Sequence, residues 1–175
     1  DVTMPGGESL VRQFSSGLRF MQDEFGVTTD CLWLPDSFGY NGQLPQIARL
    51  AGMRWFFTQK LSWNRTNKLP HHTFCWEGID GTRIWTHFPP CDSYDSTVSA
   101  EEVLGAERNF KEKGLARHSI LPYGYGDGGG GPVAEMVERV RRFADLEGAP
   151  VLKHGSPADF EGQARTEYEP PVWAG

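Results

Sequence analysis

One local pattern recurs along this chain and constrains it more than anything else. A short apolar run is followed by a loop rich in Gly, Pro and Asp, and then by a stretch of helical spacing. Cys31-Leu32-Trp33-Leu34 stops at Pro35, and Leu44 to Leu50 then has helical character with Gly52 just beyond it. Trp55-Phe56-Phe57-Thr58 is the next apolar run. Ser119 to Pro122 reads as a strand before a glycine-rich loop and a helix over Pro132 to Leu146, and Val151-Leu152 as the start of one more strand. Glu8 to Phe25 has apolar Leu10, Val11, Phe14, Leu18, Phe20, Met21 and Phe25 near a 3.6-residue period and ends at Gly26, the mark of an amphipathic helix. Ser99 is a candidate cap for a helix to about Lys113, with Glu101 and Glu102 in its first turn. Thr73 to Trp76 and Arg83 to His87 flank Gly78-Ile79-Asp80-Gly81-Thr82, a hairpin signal. Strand, loop, helix in alternation predicts an α/β fold with mostly parallel strands and a β-hairpin insertion. In such folds ligands bind at the carboxyl ends of the strands. The loops 35–42, 59–72, 88–97 and 123–131 are therefore the ones to search.

Composition narrows the class. The chain has 175 residues, enough for one domain with a substantial core. Its net charge of −6 gives no basic face to replace phosphate counterions, so nucleic acid is not an expected partner. No apolar run approaches the ~18 residues of a membrane span, so no membrane partner is expected either. No signal-peptide pattern opens the chain, and Cys31, Cys75 and Cys91 lack CxxC spacing. They read as reduced, buried thiols in a cytoplasmic setting.

The loops hold the candidate chemistry. Asp36 lies just past a strand between Pro35 and a Gly-rich segment. It suits an Asx turn or cap on one reading, and a catalytic or metal carboxylate on the other. Asp127 sits in Tyr125-Gly126-Asp127-Gly128-Gly129-Gly130-Gly131-Pro132, the only carboxylate among those glycines. The run has neither GK[ST] nor a spaced GxGxxG, so close approach of backbone to a ligand or another segment explains it better than a phosphate cradle. Two carboxylates on loops of one aromatic-rich chain suit glycosidic cleavage. His71 and His72 are adjacent, point opposite ways if extended, and read as structural. His87 reads as a core histidine bonded to backbone. Trp63 and Trp76 are packing residues or a sugar-stacking platform.

Several runs, in order, resemble the α-mannosidases of glycoside hydrolase family 38, in the branch of cytosolic, vacuolar and many bacterial enzymes. They are Trp33-Leu34-Pro35-Asp36-Ser37-Phe38-Gly39-Tyr40 with Gln43-Leu44-Pro45-Gln46-Ile47, Lys60-Leu61-Ser62-Trp63-Asn64, Pro70-His71-His72-Thr73-Phe74, Trp76-Glu77-Gly78-Ile79-Asp80-Gly81, Thr86-His87-Phe88-Pro89-Pro90, and the Asp127 run. The resemblance extends from about Pro5 to about Leu152. It implies part of a seven-stranded-type β/α barrel and hydrolysis of terminal α-D-mannosides with retention, through a mannosyl-enzyme intermediate. The substrate would be a mannose-containing oligosaccharide or glycoside. Asp36 would be both nucleophile and zinc ligand, and Asp127 the general acid/base. Phe38, Lys60, Tyr94 and Asp95 would line the sugar site, Lys60 by contacting the nucleophile region. Many relatives carry a second carboxylate where this chain has Gly128. The family's His-x-Asp and its further zinc-ligating His have no match here. The whole chain, 1–175, is therefore expected to be the central part of one catalytic domain, truncated at both ends, inactive alone, with its other Zn2+ ligands outside it. A zinc-dependent polysaccharide deacetylase-like barrel and a non-catalytic carbohydrate-binding remnant are the alternatives.

Overall fold

The computed structural model describes residues 2–174, which form two compact units. The first holds the sheet; the second comprises Leu61–His72 and Phe88–Glu169.

The first unit opens with α1 (Gly7–Phe25), close to the predicted span. Gly26 ends it at φ 65°, where its N–H and that of Val27 reach back to the carbonyls of Gln22 and Met21. This left-handed cap is the glycine's conformational role. Strands β1 (Cys31–Leu34) and β2 (Trp55–Thr58) are joined by α2 (Leu44–Leu50) and run parallel, with Leu34 opposite Thr58. Strands β3 (Thr73–Glu77) and β4 (Arg83–His87) form the expected antiparallel hairpin. A fifth strand, β5 (Val172–Ala174), lies parallel to β3 and was not foreseen; its pairing begins where the Cys75 N–H donates to the Pro171 carbonyl. The sheet order is β1-β2-β4-β3-β5, and every pairing but the hairpin is parallel.

Alternation gives the sheet two apolar faces. Phe56, Ile84, Phe74 and Trp76 share one face with Tyr40, whose ring meets Phe56 edge-on at 5.0 Å. Trp33, Trp55, Phe57, Trp85 and His87 share the other. There Trp33 stacks on Phe57 at 3.9 Å and Trp55 meets Trp85 edge-on at 5.9 Å. The central strands β2 and β4 are buried on both faces, which suits a parallel sheet.

In the second unit, Ser99 caps α3 (Ala100–Asn109) through a capping box with Glu102. The helix stops four residues short of Lys113. The chain is captured there by tertiary bonds: the Lys111 N–H donates to His72 Nδ1, and the buried Glu112 carboxylate accepts the His72 N–H. The helix expected over 132–146 is α4 (Ala134–Arg142) followed by a 3-10 turn, Phe143–Asp145. Leu152 N–H then bonds back to the Phe143 carbonyl.

The two strands expected at Ser119 to Pro122 and Val151-Leu152 are irregular. Pro122 has no N–H to give a ladder, and pairing is limited to one bridge between Ser96 and Tyr123. Leu121 and Leu152 are apolar for another reason: they pack on the core of Val98, Val103, Met136, Val140 and Phe143. A fifth helix, α5 (Pro157–Ala164), was also not foreseen, although Ser156 and Asp159 form a capping box with Pro157 in the first turn.

Candidate active site

The parallel register assembles the first cluster. Leu34 and Thr58 are partners at the carboxyl ends of neighbouring strands, so the residues two steps beyond each, Asp36 and Lys60, emerge side by side. Lys60 Nζ lies 3.0 Å from Asp36 Oδ1. The Lys60 side chain is 6% exposed, whereas that of Asp36 is 47% exposed. A buried ammonium thus braces an open carboxylate: one oxygen is oriented while the group stays accessible to a ligand. Lys60 Nζ also stands 5.2 Å over the Phe38 ring, which is largely open to solvent. The structure therefore brings Asp36, Phe38 and Lys60 together.

Tyr40 completes this cluster and was not singled out from the sequence. Its hydroxyl lies 3.1 Å from the Ser37 carbonyl and 3.3 Å from that of Leu34, and it also contacts the Thr58 hydroxyl. Burial pushes its phenol up to about 12, so it keeps its proton. The signal was present as a tyrosine two residues past an exposed phenylalanine. Nothing in the one-dimensional pattern shows that its hydroxyl reaches back to the strand ends.

The second cluster lies in the other unit and is described by itself. Tyr94 donates its hydroxyl to Asp127 Oδ1 at 3.2 Å. Ser93 Oγ donates to Asp95 Oδ1 at 2.6 Å and accepts the Asp95 N–H. The glycine run forms a small closed loop in which Tyr125 and Gly131 exchange backbone hydrogen bonds and Gly129 N–H closes on the Gly126 carbonyl. Asp127 stands at its head in the left-handed region, φ 51°. A Cβ at Gly126 would come within 3.0 Å of Tyr94 Cε2 and 3.4 Å of Asp95 Cβ. Close approach to another segment is thus what this glycine permits.

The histidines read as structural stand as follows. Burial pushes His72 down to about 4, and its Nδ1 accepts the Lys111 N–H, so it is neutral. Its 3.9 Å approach to Glu112 is for that reason not an ion pair. His71 Nδ1 lies 3.6 Å from the same carboxylate. His87 is buried, and the Thr73 hydroxyl lies 2.9 Å from its Nδ1. Trp76 is buried and Trp63 is exposed. Cys31, Cys75 and Cys91 are thiols, each half-buried rather than fully buried.

The donor set does not make a zinc site by itself. Zinc needs at least three protein ligands, and among the described residues no group of three His, Cys, Asp or Glu side chains is placed to hold a metal. Asp36 brings one carboxylate, already paired with an ammonium.

A mostly parallel sheet sets the braced carboxylate past the carboxyl end of β1, where α/β folds bind their ligands. The chain belongs to the glycosyl hydrolases of family 38: the model of that family's N-terminal domain matches residues 1–175. Alpha-mannosidase 2C1 of Homo sapiens is 48% identical over 169 residues, covering 97% of this chain and 16% of the human protein. Alpha-mannosidase G of Dictyostelium discoideum is 48% identical over 160 residues, 91% of this chain and 15% of its own. Alpha-mannosidase of Saccharomyces cerevisiae is 45% identical over 146 residues, 83% of this chain and 14% of its own. This chain therefore spans only a small part of the length of these relatives. Among solved structures, an alpha-mannosidase from Enterococcus faecalis V583 superposes with a TM-score of 0.74 at 18% identity, covering 100% of this chain and 21% of that one, a likeness of fold.

Proposed function

We propose that these residues form the central part of the catalytic domain of a retaining α-mannosidase, a partial β/α barrel acting on mannose-containing glycosides in the cytoplasm. The observation that carries this reading is the Asp36–Lys60 pair at the ends of two neighbouring parallel strands, in a chain 48% identical to a named α-mannosidase. Those relatives lend nothing to the deacetylase-like or carbohydrate-binding alternatives.

Each residue has a role. An Asp36 oxygen attacks the anomeric carbon while the glycosidic C–O bond breaks. The leaving oxygen keeps the bonding pair and takes a proton from the carboxylic acid of Asp127. The Asp127 carboxylate then removes a proton from water, whose oxygen attacks the same carbon and frees Asp36. Lys60 orients the nucleophile, Tyr94 holds one oxygen of Asp127, and Phe38 and Asp95 contact the sugar. Zinc belongs to the proposal with Asp36 as one ligand and the others outside these 175 residues; no step above is routed through it.

The test uses the full-length protein carrying this chain and an aryl α-mannoside. Turnover should fall by a factor of about 10⁴ or more in Asp36→Ala, since the covalent route is lost. A slow fluorinated mannosyl substrate should add one sugar mass to the peptide containing Asp36. Adduct on a different carboxylate, or full activity of Asp36→Ala, would discard this assignment.

A further inference from the structure

The loop that carries Asp36 has no helix or strand of its own, yet it must hold a half-exposed carboxylate still. Its far end is fixed: Asn41 Nδ2 donates to the Val2 carbonyl at 2.6 Å, and the Ile79 N–H donates to the Gly42 carbonyl at 3.0 Å. Nearer Asp36, the Tyr40 hydroxyl is the tie. It reaches the Ser37 carbonyl, next to Asp36, and the Leu34 carbonyl at the end of β1. It also meets the Thr58 hydroxyl, the last residue of β2 and two residues before Lys60.

A phenol has one proton to donate. Thr58 can give its own proton to the Tyr40 oxygen, leaving the phenolic proton for a loop carbonyl. The two hydroxyls then form a short relay from the strand that carries Lys60 to the loop that carries Asp36.

We propose that Tyr40 is the positioning residue for Asp36: its hydroxyl, shared with Thr58, locks the carboxylate loop to the end of the Lys60 strand. This deepens the reading of Asp36 as nucleophile and rests on it. A catalytic carboxylate needs to be held to a fraction of an ångström by partners that are themselves locked. Tyr40 meets that requirement, because its ring is fixed against Phe56 and Trp76.

Tyr40→Phe keeps the ring and removes only the hydroxyl, and Thr58→Val removes the other half. The singles each leave a polar partner unsatisfied, whereas the double variant leaves the Thr58–Tyr40 contact apolar on both sides. In the full-length protein, Tyr40→Phe should lower kcat on an aryl α-mannoside about 10- to 100-fold with KM within about twofold of wild type. The double variant should regain Tm relative to the singles while kcat stays low. Amide hydrogen exchange across residues 36–39 should be roughly tenfold faster in Tyr40→Phe and in the double variant.

A kcat near wild type in Tyr40→Phe, recovery of kcat together with Tm in the double variant, or unchanged exchange would each overturn the proposal. If the wild-type protein hydrolyses no mannoside, the functional reading falls, and exchange alone decides: acceleration supports the lock and no change refutes it. Should Tyr40→Phe fail to fold, Thr58→Val carries the same kinetic and exchange readouts.

Discussion

Replacing Lys60 with Met separates what this residue does for the site from what it does for the fold. Met preserves most of the buried stem and deletes the ammonium. The charges in the pair are 3.0 Å apart. At that separation Coulomb's law gives about 1.4 kcal/mol in bulk water and about 5.5 kcal/mol at an effective dielectric of 20. Lys60 is buried but Asp36 is about half exposed, so the interaction falls between these limits. If half of it or more orients the nucleophile in the transition state, kcat/KM falls by a factor between about 3 and about 10⁴. Stability should move the other way or not at all. The Asp36 carboxylate can rehydrate, while burial of an ammonium is no longer required, and apolar replacements of buried charges are often neutral or stabilising. The assay is steady-state hydrolysis of an aryl α-mannoside beside thermal unfolding of the same full-length variant. Wild-type kcat/KM, or a Tm drop above about 5 °C with unchanged kinetics, would show that Lys60 is a structural brace and refute the reasoning.

Two further outcomes test other parts of the molecule. Gly126→Ala places a methyl 3.0 Å from Tyr94 Cε2, so it should loosen the Tyr94–Asp127 hydrogen bond, cost about 1–3 kcal/mol of stability and lower kcat/KM; wild-type values of both would contradict the packing described. His72 is held at about 4 against an ordinary 6.5, so the unfolded chain binds the extra proton between those values. Its stabilisation is complete above pH 6.5 and is lost as pH falls toward 4, about 3 kcal/mol in all. Urea unfolding of wild type and His72→Gln at pH 7 and pH 4.5 should show the loss in wild type and a flatter profile in the variant.

Local patterning determined much of this protein. Apolar runs with terminators set β1, β2 and the hairpin, and helical spacing ending in glycine set α1 and α2, because these signals need no distant partner. Capping chemistry set the start of α3, and the same signal at Ser156 was there to be read for α5. Ordered motifs around Asp36 and Asp127 placed the chain in its family, since loop motifs are written in consecutive residues. Only the tertiary structure decided the rest. Leu121 and Leu152 have the apolarity of strands but lie in irregular segments against a helical core, because burial rewards a side chain whatever its backbone does. α3 stops at Asn109, and His72, far away in sequence, takes the Lys111 N–H that a further turn would have used, while the Glu112 carboxylate takes the His72 N–H. Val172–Ala174 is a strand because β3 offers it an edge. Asp36 meets Lys60, and Tyr40 meets Thr58, because parallel register sets two strand ends side by side. Register is a property of the pair of strands, and neither strand's sequence states it alone.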